Sequence, residues 1–299
     1  MWQLYALGSL IASSGESVVD KIAIVADRRI DSLVATFWRL ALFFLFTIVI
    51  GFFGWLGGIQ FSFNTLIVLV AAMGIGNSLI YTYLLRRVEI TGIGAITYLS
   101  PFLFLIIDTR LLHTTFSASE LTGIFLMVLG GFAFAIDGKT HHFKREFSPL
   151  VWLMLFYMVA YTGVESYAFK YLHDVSGTTA VGFTLSYGVL MVAGLLVLVV
   201  VRGESHLLWK HAAKIYVPRV AISKAFDAAG SVLWVQALTL AAVSQVSAME
   251  ALEPLVLFVF TILVQDILRL RTDEKLSRGR MRWKAAAVSM LVLGGLLVS

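Results

Sequence analysis

GESVVDK at residues 15–21 recurs as VESYAFK at residues 164–170, sharing Glu-Ser-x-x-x-Lys at an offset of 149 residues (Glu16 to Glu165). Three further correspondences follow in the same order: NSLIYTYLL at 77–85 with GSVLWVQAL at 230–238, Pro101 with Pro254, and MVLGG at 127–131 with LVLGG at 291–295. Ordered self-similarity of this kind marks a duplication. The chain therefore reads as two copies of one unit, residues 1–140 and 146–299.

What the unit is follows from composition. Of 299 residues 59% are hydrophobic and only 14% charged, outside the range of a soluble globular domain. Windows of about 20 residues place apolar spans near 3–25, 32–55, 64–85, 90–112, 118–137, 149–171, 178–201, 214–236, 243–268 and 282–299. The first span has Glu16 inside it and no basic leader, so it reads as a retained helix and not as a signal peptide. Each copy holds five spans, an odd number, so the second must cross the membrane in the opposite sense to the first. The expected fold is an all-α membrane protein: ten transmembrane helices as two inverted five-helix repeats around a central cavity, with a binding site near mid-membrane.

Lys and Arg in short loops set orientation. Seventeen of 23 fall in five alternate loops: Arg28 and Arg29; Arg86 and Arg87; Lys139, Lys144 and Arg145; Arg202, Lys210 and Lys214; and the seven from Arg269 to Lys284. That side should be cytoplasmic, which puts both termini on the non-cytoplasmic face of a bacterial-type inner membrane. Arg110 and Lys170, on the other side, can snorkel. The net charge of +5 is thus a loop property that favours anionic lipid and does not indicate nucleic-acid binding.

Ionisable residues inside the spans mark the chemistry, since an acidic side chain at mid-membrane costs about 3 kcal/mol. Glu16 and Glu165 hold equivalent places in the two copies and can share a proton or hold a cation; Asp20 lies one turn after Glu16 on the same face. Arg39 can neutralise either acid of the first helix or hold an anionic group of a substrate. In SAMEALEPLVLFVFTILVQDI (247–267), Glu250 and Glu253 precede Pro254, whose ring displaces the hydrogen bond to the carbonyl of Glu250. A freed carbonyl beside carboxylates is tolerated in a membrane only against protein or a wet cavity. Pro101, flanked by Tyr98 and Ser100, is the neutral counterpart. Lys224 and Asp227 sit at i, i+3 and can pair. Tyr81, Trp234 and Gln236, on the aligned segments, can line a cavity. Gly130, Gly131, Gly294 and Gly295 allow close helix approach.

Taken together, GESVVDKIAI with Lys21, Arg39, YTYLLRRVEITGIGAITYLSP (81–101), GIFLMVLGG (123–131) and DEKLS (273–277) resemble the drug/metabolite transporter superfamily, in its ten-helix form of two EamA repeats. The resemblance implies a monomeric or loosely dimeric carrier with a central cavity, moving small metabolites such as amino acids and amines, often against protons. Two departures stand out. LLHTTFS (111–117) has His113 and Thr114 where the first repeat commonly keeps an acid, which Glu274 supplies in the second, and many members place their termini in the cytoplasm.

The expected activity is secondary transport by alternating access, with Glu16, Glu165, Glu250 and Glu253 as the proton or cation site. An acid-rich chamber suits a cationic or amine-bearing substrate, driven by protons or a counter-substrate. A carrier or flippase for a lipid-linked headgroup, and a receptor or assembly subunit without transport, are the alternatives. Cysteine is absent, the six histidines fall in or beside loops, and no Gly-x-Ser-x-Gly or His-Glu-x-x-His occurs. No enzyme, metal or cofactor is expected.

Overall fold

The computed structural model describes residues 1–26, 31–53, 60–85, 99–135, 148–208, 217–253, 255–257, 259–260 and 278–298. They form ten main helices: α1 Trp2–Ala26, α2 Ser32–Phe52, α3 Thr65–Leu85, α4 Ser100–Arg110, α5 Ala118–Ala135, α6 Pro149–Ser176, α7 Ala180–Val201, α8 Val217–Leu238, α9 Val243–Glu250 and α10 Arg278–Val298. Each falls within or largely over one predicted span. Four of them, α2, α3, α6 and α7, are long and apolar enough to cross a membrane. At 25 and 22 residues α1 and α8 have the length, but ionisable side chains lower their hydropathy.

Local chemistry fixes the ends. Asp31 caps α2 by accepting from the Leu33 amide at 2.7 Å, and Ser148, followed by Pro149, caps α6. α6 runs past its predicted end to Gly177, whose left-handed φ of 66° lets its amide bond back to the His173 carbonyl at 2.9 Å. Pro101 lies in the first turn of α4, where a missing N–H costs little. Tyr98 and Pro254 lie outside the described residues.

The helices are apolar outward and polar inward. Leu45, Val49, Val68, Leu153 and Phe156 are exposed, whereas Asp20, Thr36, Asp108, Thr184 and Ser244 are fully buried. In lipid this arrangement is the economical one. Buried hydroxyls are satisfied locally: Thr47, Thr82, Thr184 and Ser186 each donate to the carbonyl four residues earlier.

Each of α1–α5 packs mainly on helices of α6–α10: α1 on α8, α2 on α7 and α8, α3 on α6 and α7, α4 on α9, and α5 on α10. Exchanging the halves, α1 for α6 and so on, turns this list into itself. α5 and α10 run antiparallel, because Gly123 lies beside Gly294 and Val298 while Gly130 lies beside Ala287 and Leu291. α1 and α8 do the same, with Gly8 beside Leu233 and Gly15 beside Phe226, as do α3 and α6, with Gly74 beside Tyr161 and Gly76 beside Tyr157. At the α5/α10 seam a Cβ on Gly123 would come within 2.7 Å of the Gly294 carbonyl, and one on Gly294 within 2.7 Å of the Gly123 carbonyl. Backbone meets backbone there. Gly295 has open space and takes no part.

Candidate functional site

The antiparallel packing of α1 on α8 brings Glu16 and Asp20 against Ser223, Lys224 and Asp227, and α2 closes the third side with Arg39. Arg39 Nη2 reaches Asp20 Oδ2 at 2.5 Å and Glu16 Oε1 at 3.5 Å. Its Nη1 donates to Thr82 Oγ1 at 2.9 Å, and its guanidinium lies 5.0 Å from the centre of the Tyr81 ring. Lys224 Nζ bonds Glu16, lies 3.3 Å from Asp20 Oδ2 and donates to Asp227 Oδ2 at 2.7 Å. Ser223 donates to the other oxygen of Asp20. Two cations thus serve three carboxylates, and every member has a charged neighbour.

Solvent access separates those carboxylates. The Asp20 side chain is fully buried with both oxygens engaged, Glu16 is 13% exposed and Asp227 25%. Asp20 therefore holds α1, α2 and α8 together, while Glu16 and Asp227 look into open space.

That space is a cavity of about 280 Å³ between the halves, lined on its charged side by Glu16, Arg39, Lys224 and Asp227. Glu165 enters from α6, with the Tyr161 and Tyr187 hydroxyls interacting with its carboxyl. Phe43, Met158 and Met191 make the apolar wall. Ser78 of α3 and Ser231 of α8, which align between the two halves of the sequence, both line it, as does Asn77, whose buried Oδ1 has no hydrogen-bond partner among the described residues. Among the described residues no cluster of His, Asp and Glu could hold a metal ion.

Five residues singled out in the sequence, Glu16, Asp20, Arg39, Tyr81 and Glu165, therefore meet at one place, with Asp20 behind the wall. Arg39 is 5% exposed and neutralises both acids of the first helix. Glu250 and Glu253 are half-buried at the end of α9, close to one another and within electrostatic reach of Glu165, but they do not line this cavity. Trp234 packs on the main apolar cluster, and Gln236 bonds Thr239 at 3.5 Å; neither lines the cavity. Lys170 reaches the turn after α8, where its Nζ donates to the Ala241 carbonyl at 2.8 Å.

The sequence reading left Lys224 and Asp227 as a pair and no more. Their i, i+3 contact is made, but closure onto Glu16 joins residues 208 apart, and no sequence signal announces it. Asp108 was also passed over. Fully buried, it accepts from the Ser244 amide at 2.8 Å, the Ser244 hydroxyl at 2.6 Å and Tyr167 at 3.0 Å, tying α4 to α6 and to the start of α9.

Residues 1–136 match the model of the EamA-like transporter family. Those residues, a little under half of the chain, are similar to an EamA-like transporter. A crystal structure aligns over 99% of this chain and 98% of its own, with a TM-score of 0.70 and 12% sequence identity, and it is among 27 solved chains that match. At that identity the likeness is one of fold, and it extends past residues 1–136 to the whole chain. No curated protein sequence matches the chain. The EamA match and the outward-facing apolar helices together indicate an integral membrane protein.

Proposed function

We propose that the protein is a secondary carrier which moves a small cationic or amine-bearing metabolite across the cytoplasmic membrane, coupled to protons or to a counter-substrate. The carrying observation is the cavity wall: Glu16 and Glu165, equivalent residues of the two copies, face one space in which four carboxyl groups, with Asp20 and Asp227, stand against two cations. In an apolar surround that excess is held only with protons or a bound cation. Alternation of contacts between the halves, with α5 antiparallel to its equivalent α10, supports two inverted repeats that rock about the site. Glu250 and Glu253, near Glu165, are proposed as an onward proton site.

The test begins with metabolites that raise the thermal stability of the purified protein, followed by uptake of each hit into liposomes under an imposed proton gradient. Glu165→Gln should abolish gradient-driven uptake while the protein still inserts and stays monodisperse. Undiminished uptake in both Glu16→Gln and Glu165→Gln would remove the basis of the assignment.

One observation favours a second reading, a carrier for a lipid-linked headgroup. A groove of about 950 Å³ between α4 and α6 is lined by Leu103, Ile107, Val159 and Val164, with Lys170 and Tyr171 toward one end. The same liposomes separate the two: aqueous uptake of an amine supports the first reading, and transfer of lipid-anchored cargo alone supports the second.

A further inference from the structure

We propose that Asp227 is the residue that receives the ammonium group of the substrate, and that Lys224 holds its place until the substrate arrives. This rests on the cationic-substrate reading above and goes beyond it in naming the acceptor.

The geometry singles out Asp227 among the carboxylates. Asp20 has both oxygens taken, by Arg39 and Ser223, and is fully buried. Glu16 Oε1 is held by both Lys224 and Arg39. Asp227 is the most exposed of the three acids; among the described residues its Oδ2 is held by Lys224 alone, and its Oδ1 has only a long bond, 3.5 Å, from Ser231. The unpartnered Asn77 Oδ1 is a further acceptor in the wall of the same cavity. A ligand bringing several N–H donors satisfies both.

Lys224 can release Asp227 without being left as an unpaired buried charge. Its ammonium has three carboxylate neighbours, and giving up the one at 2.7 Å leaves Glu16 and Asp20, the latter at 3.3 Å. Removing the only partner of a buried ion is what carries a large penalty; here Lys224 keeps two carboxylates, and Asp227 exchanges Lys224 for the incoming ammonium. The charges of the cluster on α1, α2 and α8 also close, with Glu165 set apart on α6 and held by the Tyr161 and Tyr187 hydroxyls. Glu16, Asp20 and Asp227 against Arg39 and Lys224 leave one negative charge, which a single ammonium neutralises. The incoming cation thus completes a set that Lys224, shared three ways, leaves one short.

The rest of the molecule agrees with a one-sided arrangement. Counting back by the offset that joins Pro101 to Pro254, the equivalents of Lys224 and Asp227 in the first copy are Ala71 and Gly74. A Cβ on Gly74 would come within 2.9 Å of the Met191 side chain and 3.2 Å of the Tyr161 hydroxyl. Met191 and Tyr161, both of which line the cavity, thus occupy the space beside Gly74, and with Phe43 and Met158 they offer apolar and aromatic surface to the body of an amine whose head lies at Asp227.

The probe is 2-phenylethylammonium chloride, with neutral 2-phenylethanol and anionic 3-phenylpropionate as isosteres, added to the full-length purified protein and followed by thermal shift and calorimetry. We expect stabilisation by the ammonium compound alone. Asp227→Asn, which leaves Lys224 on Glu16 and Asp20, should weaken its binding about tenfold or more. Binding in Asp227→Asn within about threefold of wild type, with loss in Glu165→Gln, would overturn Asp227 as acceptor and leave the cationic reading standing. Stabilisation by 3-phenylpropionate alone would overturn both.

Should Asp227→Asn fail to fold, Asp227→Glu decides. It keeps the charge for Lys224 and moves the carboxylate one methylene into the cavity, so preference should turn toward the shorter benzylammonium. An unchanged ratio between the two amines would overturn the proposal.

Discussion

Arg39 is where removal of one side chain exposes the most charge. Its guanidinium serves Asp20, a carboxylate with no solvent, and truncation leaves that acid with Lys224 at 3.3 Å and one hydroxyl. Breaking a buried pair from one side costs about 3–5 kcal/mol, while replacing both partners by apolar groups is often neutral. Arg39→Leu should therefore lower the unfolding temperature in detergent sharply, and Arg39→Leu with Asp20→Leu should recover most of it. If the double variant is as unstable as the single one, Asp20 has a structural task beyond the pair. At this scale the sequence was partly legible. The cost of a charge in an apolar span picked out Glu16, Asp20, Arg39 and Glu165 without reference to any neighbour, because it is a property of one residue and its window. The same reasoning picked out Glu250 and Glu253, which lie outside the cavity wall. It could not see that Lys224 turns from its own helix to Glu16, since that depends on how two distant helices pack.

Between elements the controlling distances are those of backbone to backbone. α5 and α10 approach so closely at Gly123 and Gly294 that each glycine faces the other's carbonyl at 2.7 Å from where a Cβ would stand. Neither backbone can withdraw without parting the helices. Gly123→Ala should cost about 1–3 kcal/mol, the usual range for overpacking. Gly295→Ala is the internal control: nothing lies within 4 Å of its Cβ position, so the substitution should be neutral or gain up to about 1 kcal/mol from helix propensity. Equal effects of the two on thermal unfolding would mean that α5 and α10 are not packed as described. The paired Gly-Gly motifs told of close approach without telling which glycine makes it. That is decided by the rotation of each helix about its axis, and a rotation of one residue, about 100°, separates Gly294 from Gly295.

On the scale of the whole molecule, hydrogen bonds between turns show which loops share an end. The Gln60 amide donates to Thr179, Lys170 to the Ala241 carbonyl, and Gln245 to Glu120. The connections after α2, α6 and α8 and the one before α5 therefore lie at one face, and residues 53–64, 111–117, 177–179 and 239–242 contain no Lys or Arg. Arg202 belongs to the opposite face, where Trp38 donates to the Leu208 carbonyl at 3.0 Å. The cation-poor face should be the outer one by the loop-charge rule, against the habit implied by the family resemblance. Because the chain has no cysteine, single replacements can decide it without background. Thr115→Cys and Ser205→Cys both fall at exposed positions, one on each face. A membrane-impermeant maleimide on intact spheroplasts should label Thr115→Cys, and Ser205→Cys only after permeabilisation. The reverse pattern would turn the molecule over and place both termini in the cytoplasm. Labelling of both positions from outside would break the alternation itself, and with it the inverted threading proposed for the two halves.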